Sequence, residues 1–307
     1  MKIVSLFSGA GGLDLGLIKA GHEIIWANDF DADSCETYKH NIGDHIVCSD
    51  ISKIKLDEIP DCDVVVGGFP CQGFSMANML RTADDERNKL YKQFYRIIKN
   101  KKPDYFIAEN VRGILSLDNG NAIKKIVKDF SDAGYRVKYK PFNTADYGVP
   151  QIRVRVIIAG TRKDLPEEMD FQFPEPTHEK SKWVSISKAL KGIPEPEDPK
   201  SKLKNHIYSK YKITIKNFTG HRKTDPDKPS PTILARGNGK GGVVAIQHPA
   251  NHRRMSVRES ALVQTFPINF EFIGSMGSMY RQVGNAVPVL FGQHLGKKLK
   301  QLEAELV

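Results

Sequence analysis

The stretch KIVSLFSGAGGLDLG (residues 2–16) decides the fold, because an apolar run leads directly into a glycine-rich turn and then into a helical pattern. Gly9, Gly11 and Gly12 let the backbone turn tightly and bring the amide groups of a helix close to a ligand. The spacing differs from the GxGxxG of dinucleotide-binding turns, and a purely structural turn is an equal alternative for this motif alone. The stretch predicts the strand, turn and helix that open an α/β domain.

The same alternation continues to about residue 160. The further apolar runs are HEIIWAND (22–29), DHIVCSD (44–50), DVVVGGFP (63–70), DYFIAENV (104–111) and RVRVIIAG (153–160). Helical patterns separate most of them, and short buried strands alternating with helices indicate a doubly wound α/β domain with a parallel sheet covered on both faces.

The rhythm ends near residue 161, where nine of the 17 prolines fall between Pro166 and Pro231. Proline fixes φ and removes a backbone donor, so this part is expected to be a smaller, irregular domain. Helical patterns return in SVRESALVQTF (256–266) and in QVGNAVPVLFGQHLGKKLKQLEAEL (282–306), which is expected to pack on the first domain. The predicted division is residues 1–160 with 272–307, and residues 161–271.

The charge is concentrated in one block of the 307-residue chain. Residues 200–260 contain 14 basic and 3 acidic residues, a net charge of +11, whereas the rest of the chain carries 32 basic and 33 acidic residues. A solvated basic loop would explain this block, but it also matches a surface that binds a polyanion, so nucleic acid is the leading partner class.

Other classes are disfavoured by the absence of features. The chain has no apolar run near 18 residues and no secretory signal pattern, so we expect a cytoplasmic protein with no membrane contact. Its four cysteines lack metal-ligand spacing, so we expect free thiols and no metal. Three of them are expected to be buried core thiols: Cys35, Cys48 and Cys62.

Two carboxylates follow strands at places suited to a nucleoside. Asp29 ends its strand 20 residues after Gly9, where an acidic residue commonly accepts hydrogen bonds from ribose hydroxyls. Asp50 follows the next strand and could accept an adenine amino group. Together with the glycine turn, they favour an adenosine-bearing cofactor.

Cys71 differs from the other cysteines because it lies in a loop, GGFPCQGFS (67–75), directly after a strand. Side chains beyond the carboxyl ends of strands form the sites of open α/β sheets. A thiolate there, activated by loop amides and nearby arginines, is a candidate nucleophile.

Three further charged residues belong to strand ends. Glu109 follows an apolar strand, where a partly desolvated carboxyl could hold a proton and donate a hydrogen bond, although a capping or surface glutamate is the plainer alternative. Arg153 and Arg155 alternate with apolar neighbours and should share one face of a strand. They are either exposed on an edge strand or converge on an anionic or carbonyl-rich substrate.

These motifs, in this order, resemble the DNA cytosine-5 methyltransferase family, and the bacterial modification enzymes most closely. The resemblance spans the chain except its variable basic region and rests on FSGAGG (7–12), NDFD (28–31), PCQGFS (70–75), ENV (109–111), QIRVR (151–155), RESALVQTFP (258–267) and QVGNAVP (282–288). It implies a Rossmann-like methyltransferase sheet with a smaller target-recognition domain.

The resemblance implies transfer of a methyl group from S-adenosylmethionine to carbon 5 of a cytosine flipped out of duplex DNA, leaving S-adenosylhomocysteine. Cys71 would add to carbon 6, protonated Glu109 would bind ring nitrogen 3 and the amine, and Arg155 would bind the carbonyl oxygen with Arg153 close by. The cofactor residues implied are Phe7, Gly9, Gly11, Leu13, Asp29, Asp50, Ile51, Pro70, Leu90, Asn285 and Val287.

The basic region would then bind double-stranded DNA. Candidate DNA contacts are Ser75 after Cys71, Thr232 and Arg236 on a glycine-rich loop, and Arg254. Arg236 is the first candidate for reading guanine, because its planar fork matches two major-groove acceptors. Arg254 and Arg258 could equally organise the small domain.

Three alternatives stay open at this point: a tRNA cytosine-5 methyltransferase, a catalytically silent DNA-binding protein, and an NAD-dependent oxidoreductase. The stretch after PCQ and the long variable region favour DNA over tRNA, the intact Cys71, Glu109 and Arg155 favour an enzyme, and the glycine spacing disfavours NAD. A protective role in a restriction-modification system is expected. One catalytic pocket and one reading domain suffice for a duplex site, so we expect a monomer without an obligate protein partner.

Overall fold

The computed structural model describes residues 1–69, 89–210, 223–235 and 246–305. Its strands are β1 Lys2–Leu6, β2 Glu23–Asp29, β3 Ile46–Cys48, β4 Val64–Gly67, β5 Tyr105–Val111, β6 Tyr135–Asn143 and β7 Val154–Arg162. They form one seven-stranded sheet in the order β3-β2-β1-β4-β5-β7-β6. The helices are α1 Gly12–Lys19, α2 Ala32–Asn41, α3 Lys89–Lys101, α4 Asn121–Asp132, α5 Ile186–Ala189, α6 Val257–Val263, α7 Met276–Asn285 and α8 Val289–Glu305.

Both faces of the sheet are buried, which confirms the doubly wound α/β interpretation. Alternate strand residues face opposite sides, so Ile3 belongs to a core with α1 and α8, whereas its neighbour Val4 belongs to a second core with α3 and α4. In the described residues no helix is both long and apolar enough to cross a membrane.

The expectation of an entirely parallel sheet is wrong in one strand. The first five strands run parallel, but β7 is antiparallel to both β5 and β6. β7 inserts between β5 and β6, and the hairpin from β6 to β7 reverses the chain without a crossover helix.

Strand β6 itself was not predicted from the sequence. Its sequence YRVKYKPFN carries four basic or proline residues in nine positions, and its exposed centre is typical of an edge strand. Pro141 is tolerated because β6 has no neighbour on its outer side.

The terminal helix packs against the first helix, as expected, although it starts later than the pattern suggested. The stretch from residue 282 divides into the end of α7 and a new helix, α8, beginning at Val289. Glycines allow a close approach: a Cβ on Gly16 would lie 2.4 Å from the carbonyl oxygen of Val289, and one on Gly292 would lie 2.9 Å from that of Leu13. The C-terminal segment is therefore held directly behind the glycine turn.

The proline-rich region has little regular structure in its described parts. Between residues 163 and 256 they contain one α-helix, α5, short 3-10 turns and isolated bridges such as Gln151 to Ser230. Its apolar side chains join a third cluster that includes Ile186 and Ile233 but also Ala10 and Val289. The division into residues 1–160 with 272–307 and residues 161–271 stays a prediction, and this cluster joins residues of both parts.

The three described cysteines are free thiols, as expected. Cys35 is buried and Cys62 is half-buried, but Cys48 is exposed, so its assignment to the core was wrong. Cys48 ends β3, which is an edge strand of only three residues with one side left open to solvent.

Candidate active site

The glycine turn after β1 has an unusual backbone. Phe7, Gly9 and Gly11 all have positive φ, at 56°, 55° and 84°. A Cβ on Gly11 would lie 2.2 Å from Ile42, and one on Gly12 would lie 2.4 Å from the carbonyl oxygen of Val287. A Cβ on Gly9 would meet nothing within 4 Å, so the turn is packed from below and open above.

Asp29 is held against this turn. One carboxylate oxygen accepts the Gly9 N–H at 2.8 Å and the other accepts the Asp31 N–H at 2.9 Å. Burial raises the pKa of Asp29, while these hydrogen bonds oppose the rise. The strand-end carboxylate thus lies against the glycine turn, and its role toward ribose hydroxyls stays a prediction.

Phe30 was missed by the sequence reasoning. It follows Asp29 directly and is 71% exposed, the largest exposure among the described large apolar side chains. An aromatic ring left in water beside a carboxylate and an open turn is suited to packing against a flat ligand. The signal was an aromatic residue inside the polar segment NDFD.

The remaining described candidates for the cofactor surround the same strand ends. Asp50 begins a 3-10 turn, and its Oδ1 accepts both the N–H and the hydroxyl of Ser52, at 2.9 and 2.8 Å. Ile51 is buried, Leu13 and Val287 are nearly so, and Asn285 is exposed at the end of α7. Leu90, near the start of α3, is half-buried against the second core.

On the other side of β1, the ends of β4 and β5 contact each other. Asn110 is 3% exposed and donates from Nδ2 to the carbonyl oxygen of Phe69 at 3.0 Å. A Cβ on Gly68 would lie 3.1 Å from Glu109 Oε2, so the Glu109 carboxylate faces the chain that leads into the PCQ segment.

Arg155 completes this part of the site. Its Nε lies 2.8 Å from Glu109 Oε1, and each side chain is 12% exposed. The antiparallel direction of β7 explains the contact, because Arg155 pairs with Val111 and so lies diagonal to Glu109 on the same face. If β7 ran parallel to β5, Arg155, near the start of β7, would lie beside the start of β5 and far from Glu109.

Arg153 does not meet Glu109 in the same way. It is 1% exposed, and its guanidinium donates to the carbonyl oxygens of Ile233 and Gly284 at 2.9 and 3.0 Å. The two arginines therefore do not converge: Arg153, just before β7, binds the 223–235 segment and the QVGNAVP segment, and burial lowers its pKa.

Two glutamines that were not selected from the sequence strengthen this junction. Gln151 donates to Gln264 Oε1 at 2.7 Å and accepts the Ile233 N–H at 2.8 Å, and Gln264 donates to the carbonyl oxygen of Val283 at 2.7 Å. Both glutamines are fully buried. Glutamine in QIRVR and in RESALVQTFP was the available signal, since a buried amide needs partners.

Four predicted site residues lie outside the described residues: Pro70, Cys71, Ser75 and Arg236. Thr232 is described, and its hydroxyl donates to the carbonyl oxygen of Ile152 at 2.7 Å. Arg254 is 6% exposed, and burial lowers its pKa.

The arginines near residue 256 correct the simple picture of a basic surface. Arg253 donates to both Glu195 and Glu259, and Arg258 donates to the carbonyl oxygens of Lys204 and Phe270. Three of the 14 basic residues in 200–260 are thus nearly or fully buried. Irregular backbone leaves carbonyl oxygens that a guanidinium with five donors can satisfy.

In the described part of the chain, Glu195, His248 and His252 have ligand atoms within 4.8 Å of one another. Arg253 Nε already lies 2.6 Å from Glu195 Oε2, so a fixed cation occupies the place beside this carboxylate.

Comparison with known proteins places this geometry in a family. The model of the C-5 cytosine-specific DNA methylases matches residues 1–301. The chain belongs to that family. It is therefore a DNA (cytosine-5) methyltransferase, as the sequence predicted, and enzymes of this family generally use S-adenosylmethionine.

Individual relatives are similar over nearly their whole length. The chain is 41% identical to Type II methyltransferase M.NgoFVII of Neisseria gonorrhoeae, covering 94% of this chain and 83% of the relative. It is 38% identical to Type II methyltransferase M.FnuDI of Fusobacterium nucleatum, covering 98% and 94%. The methyltransferase EhMeth of Entamoeba histolytica has the same fold, with a TM-score of 0.76, 18% identity and coverage of 100% and 99%.

Proposed function

We propose that this DNA methyltransferase transfers the methyl group of S-adenosylmethionine to carbon 5 of a cytosine turned out of the duplex, with Cys71 as a transient covalent nucleophile. The observation that carries the proposal is the Glu109 and Arg155 pair. Like the glycine turn, this pair lies at the carboxyl ends of the parallel strands. It faces Gly68, three residues before Cys71 in the sequence. An acid and a guanidinium there, with the Cys71 thiol supplied by the segment that follows Gly68 in the sequence, suit addition to a pyrimidine ring.

The glycine turn and its surroundings fit the methyl donor. Space above Gly9 can accept the methionine part, Asp29 can accept the ribose hydroxyls, and exposed Phe30 can pack against adenine. The donor supplies a methyl group on a positively charged sulfur. Ile51 and Val287 would close the pocket.

The proposed roles at the base follow from its chemistry. Carbon 5 of cytosine is a poor nucleophile until the Cys71 thiolate adds to carbon 6. Glu109, carrying a proton, would bind ring nitrogen 3, and Arg155 would bind the carbonyl oxygen, so both would stabilise the charge that the addition places on the ring. After methyl transfer, loss of the carbon 5 proton expels the thiolate and restores the ring.

The rest of the chain would hold the DNA. Residues 161–271 would form the target-recognition domain and residues 1–160 with 272–307 the catalytic domain, joined through Arg153 and Gln151. Exposed lysines would contact phosphates and so offset the cost of unstacking the base, which is a few kcal/mol. Since the relatives named above are Type II methyltransferases, we propose that the chain protects DNA in a restriction-modification system.

The test is a covalent trap on DNA. A long duplex containing 5-fluorocytosine is incubated with the protein and S-adenosylmethionine, because fluorine at carbon 5 blocks the final proton loss. We expect a denaturation-resistant adduct with the wild-type protein and with Cys48→Ser, which removes an exposed thiol elsewhere in the chain. We expect no adduct with Cys71→Ser.

Two outcomes would contradict the proposal. An adduct that persists in Cys71→Ser would reject this cysteine as the nucleophile, and the lack of any adduct with wild-type protein would reject the covalent route. In parallel, labelled methyl groups should enter duplex DNA, and preferential labelling of tRNA would overturn the substrate.

A further inference from the structure

Asp14 is a buried carboxylate that the proposed reaction does not use. It lies in the first turn of α1, is 0% exposed, and is positioned beneath the glycine turn. Burial raises its pKa from 3.8 to about 6, so it is mostly ionised at neutral pH despite its apolar surroundings. A carboxylate kept in such a place is typical of functional sites.

Two series of hydrogen bonds, with two donor groups each, lead toward this carboxylate. On one side, Ser8 donates to Ser5 Oγ at 3.0 Å, and Ser5 donates to Asp14 Oδ1 at 2.7 Å. On the other side, the Tyr38 hydroxyl donates to Asp14 Oδ2 at 2.9 Å and lies 3.1 Å from His45 Nε2. Ser5 and Tyr38 therefore donate directly to one negative charge. Ser8, which also lies 3.2 Å from the carbonyl oxygen of Ser5, and His45 with its proton on Nε2 can donate to them.

These two series end on the parts of the turn that the methyl donor would contact. Ser8 lies between Phe7 and Gly9, which both have positive φ. Such a conformation is strained in phenylalanine and persists only when its surroundings enforce it. The Tyr38 ring lies directly under Gly11, 3.0 Å from the position of a Cβ there.

Among the described residues, burial and hydrogen bonds, with no charged neighbour, account for the shifted pKa of Asp14. α8 approaches α1 through Gly292 and through the backbone of Val289, so it contributes backbone rather than a charged side chain. On the other side, burial raises the pKa of Tyr38 and lowers that of His45, while the negative charges of Asp44 and Glu23 oppose the fall at His45.

We propose that Asp14 is a positioning residue for the methyl donor: through Ser5 and Ser8 on one side and Tyr38 on the other, its negative charge holds the Phe7–Gly11 turn in the conformation that binds S-adenosylmethionine. This rests on the proposed use of that donor at the glycine turn. Asp14 does not touch the reacting atoms, so its replacement reduces donor affinity more than turnover at saturating donor.

The experiment measures the dissociation constant of S-adenosylmethionine by titration calorimetry on the full chain. The variants are Asp14→Asn, Ser5→Ala and Tyr38→Phe. Asn has the size of Asp, but its NH₂ group would face a hydroxyl that now donates to a carboxylate oxygen. We therefore expect the dissociation constant to rise about tenfold or more. The two milder variants should raise it about threefold to tenfold, with turnover at saturating donor within about twofold of wild type.

Tyr135→Phe is the matched control. Its hydroxyl is also buried and donates to the carbonyl oxygen of Pro103 at 2.8 Å, but it lies on β6, four strands from β1 in the sheet. It should lower stability without changing donor affinity. Wild-type affinity should also weaken as the pH falls below about 6, because protonation removes the negative charge of Asp14. Asp14→Asn should lose this part of the pH dependence and keep the part due to Asp29, whose pKa burial also raises.

Each result decides one statement. Unchanged donor affinity in folded Asp14→Asn, or in both Ser5→Ala and Tyr38→Phe if Asp14→Asn does not fold, overturns the positioning role. An equal loss of donor affinity in Tyr135→Phe would show that the losses come from lower overall stability, and this would also overturn the positioning role of Asp14. Failure of the wild-type protein to bind S-adenosylmethionine would instead reject the proposed cofactor.

Discussion

Charged residues are used differently at the carboxyl ends of the parallel strands (the sheet edge) and in residues 161–271 (the proposed recognition region). At the sheet edge, each charge has a fixed partner and faces the open site: Glu109 meets Arg155, and Asp29 meets the Gly9 amide. In the described parts of the recognition region, arginines such as Arg258 are buried on backbone carbonyls, while lysines such as Lys202 and Lys210 are exposed.

This difference separates charged residues that take part in the proposed reaction from those that stabilise the fold or contribute to DNA affinity. A regular sheet satisfies its own backbone, so its charged side chains are free to form a site. An irregular region must satisfy its backbone with side chains, and Arg258 serves that purpose, while Arg253 binds the carboxylates of Glu195 and Glu259. Changes at the sheet edge should therefore alter turnover or donor binding, and changes to the exposed lysines should alter DNA affinity.

The largest expected effect is at Glu109. Glu109→Gln keeps the shape of the side chain but replaces the carboxyl group that we propose to bind ring nitrogen 3. We expect turnover to fall about 100-fold to 1000-fold, similar to the removal of one donor from an oxyanion site. DNA affinity should change less than about threefold, measured by filter binding beside single-turnover methyl transfer.

Glu168→Gln, on an exposed 3-10 turn, is the control and should match wild type in both assays. Equal losses of DNA binding and turnover in Glu109→Gln would mean that the Glu109 and Arg155 pair is structural, and the contrast between the two regions would fail.

Much of the sheet edge could be predicted from the sequence, because each strand is an apolar run and each site residue follows it. Asp29 and Glu109 are examples, and the ends of parallel strands meet at one edge. The contact of Glu109 with Arg155 could not be predicted, because it depends on the antiparallel direction of β7 and therefore on β6, whose polar pattern concealed it. Phe30 could not be predicted either, because it follows the strand and is not part of an apolar run.

The recognition region was less predictable for a physical reason. A charge count treats Arg254 and Lys202 alike, but burial separates them: Arg254 is 6% exposed, whereas Lys202 is exposed. Sequence shows that a residue carries charge and does not show how many unpaired carbonyl oxygens surround it. The irregular backbone decides that, and it has no period from which it could be recognised.

The second expected effect concerns the pH dependence of stability through Asp14. Its pKa is raised from 3.8 in the unfolded chain to about 6 in the folded protein, so the folded state holds the proton more tightly. Stability from this group is complete below about pH 4 and is lost as the pH rises through 6, by up to about 3 kcal/mol. Urea unfolding of wild type and Asp14→Asn between pH 4.5 and 7.5 measures the difference.

The free energy of unfolding of wild type should fall relative to Asp14→Asn over that range. A constant difference between the two proteins would mean that Asp14 titrates as an ordinary surface carboxylate, and the sheet edge would then lose its buried charge as a distinguishing feature.

The smallest expected effect is on the salt dependence of DNA binding. Lys202 and Lys210 are exposed members of the basic block, and each phosphate that a lysine no longer neutralises should reduce the slope of log affinity against log salt by about 0.9. The double variant Lys202→Gln with Lys210→Gln should therefore flatten the slope by up to about 2, with turnover at saturating DNA unchanged. Lys124→Gln with Lys297→Gln removes the same charge from α4 and α8 and should leave the slope as it is. An equal change in both double variants would show that net charge alone governs binding. No change in either would mean that Lys202 and Lys210 do not contact phosphates, and the basic block would then not mark the DNA-binding surface.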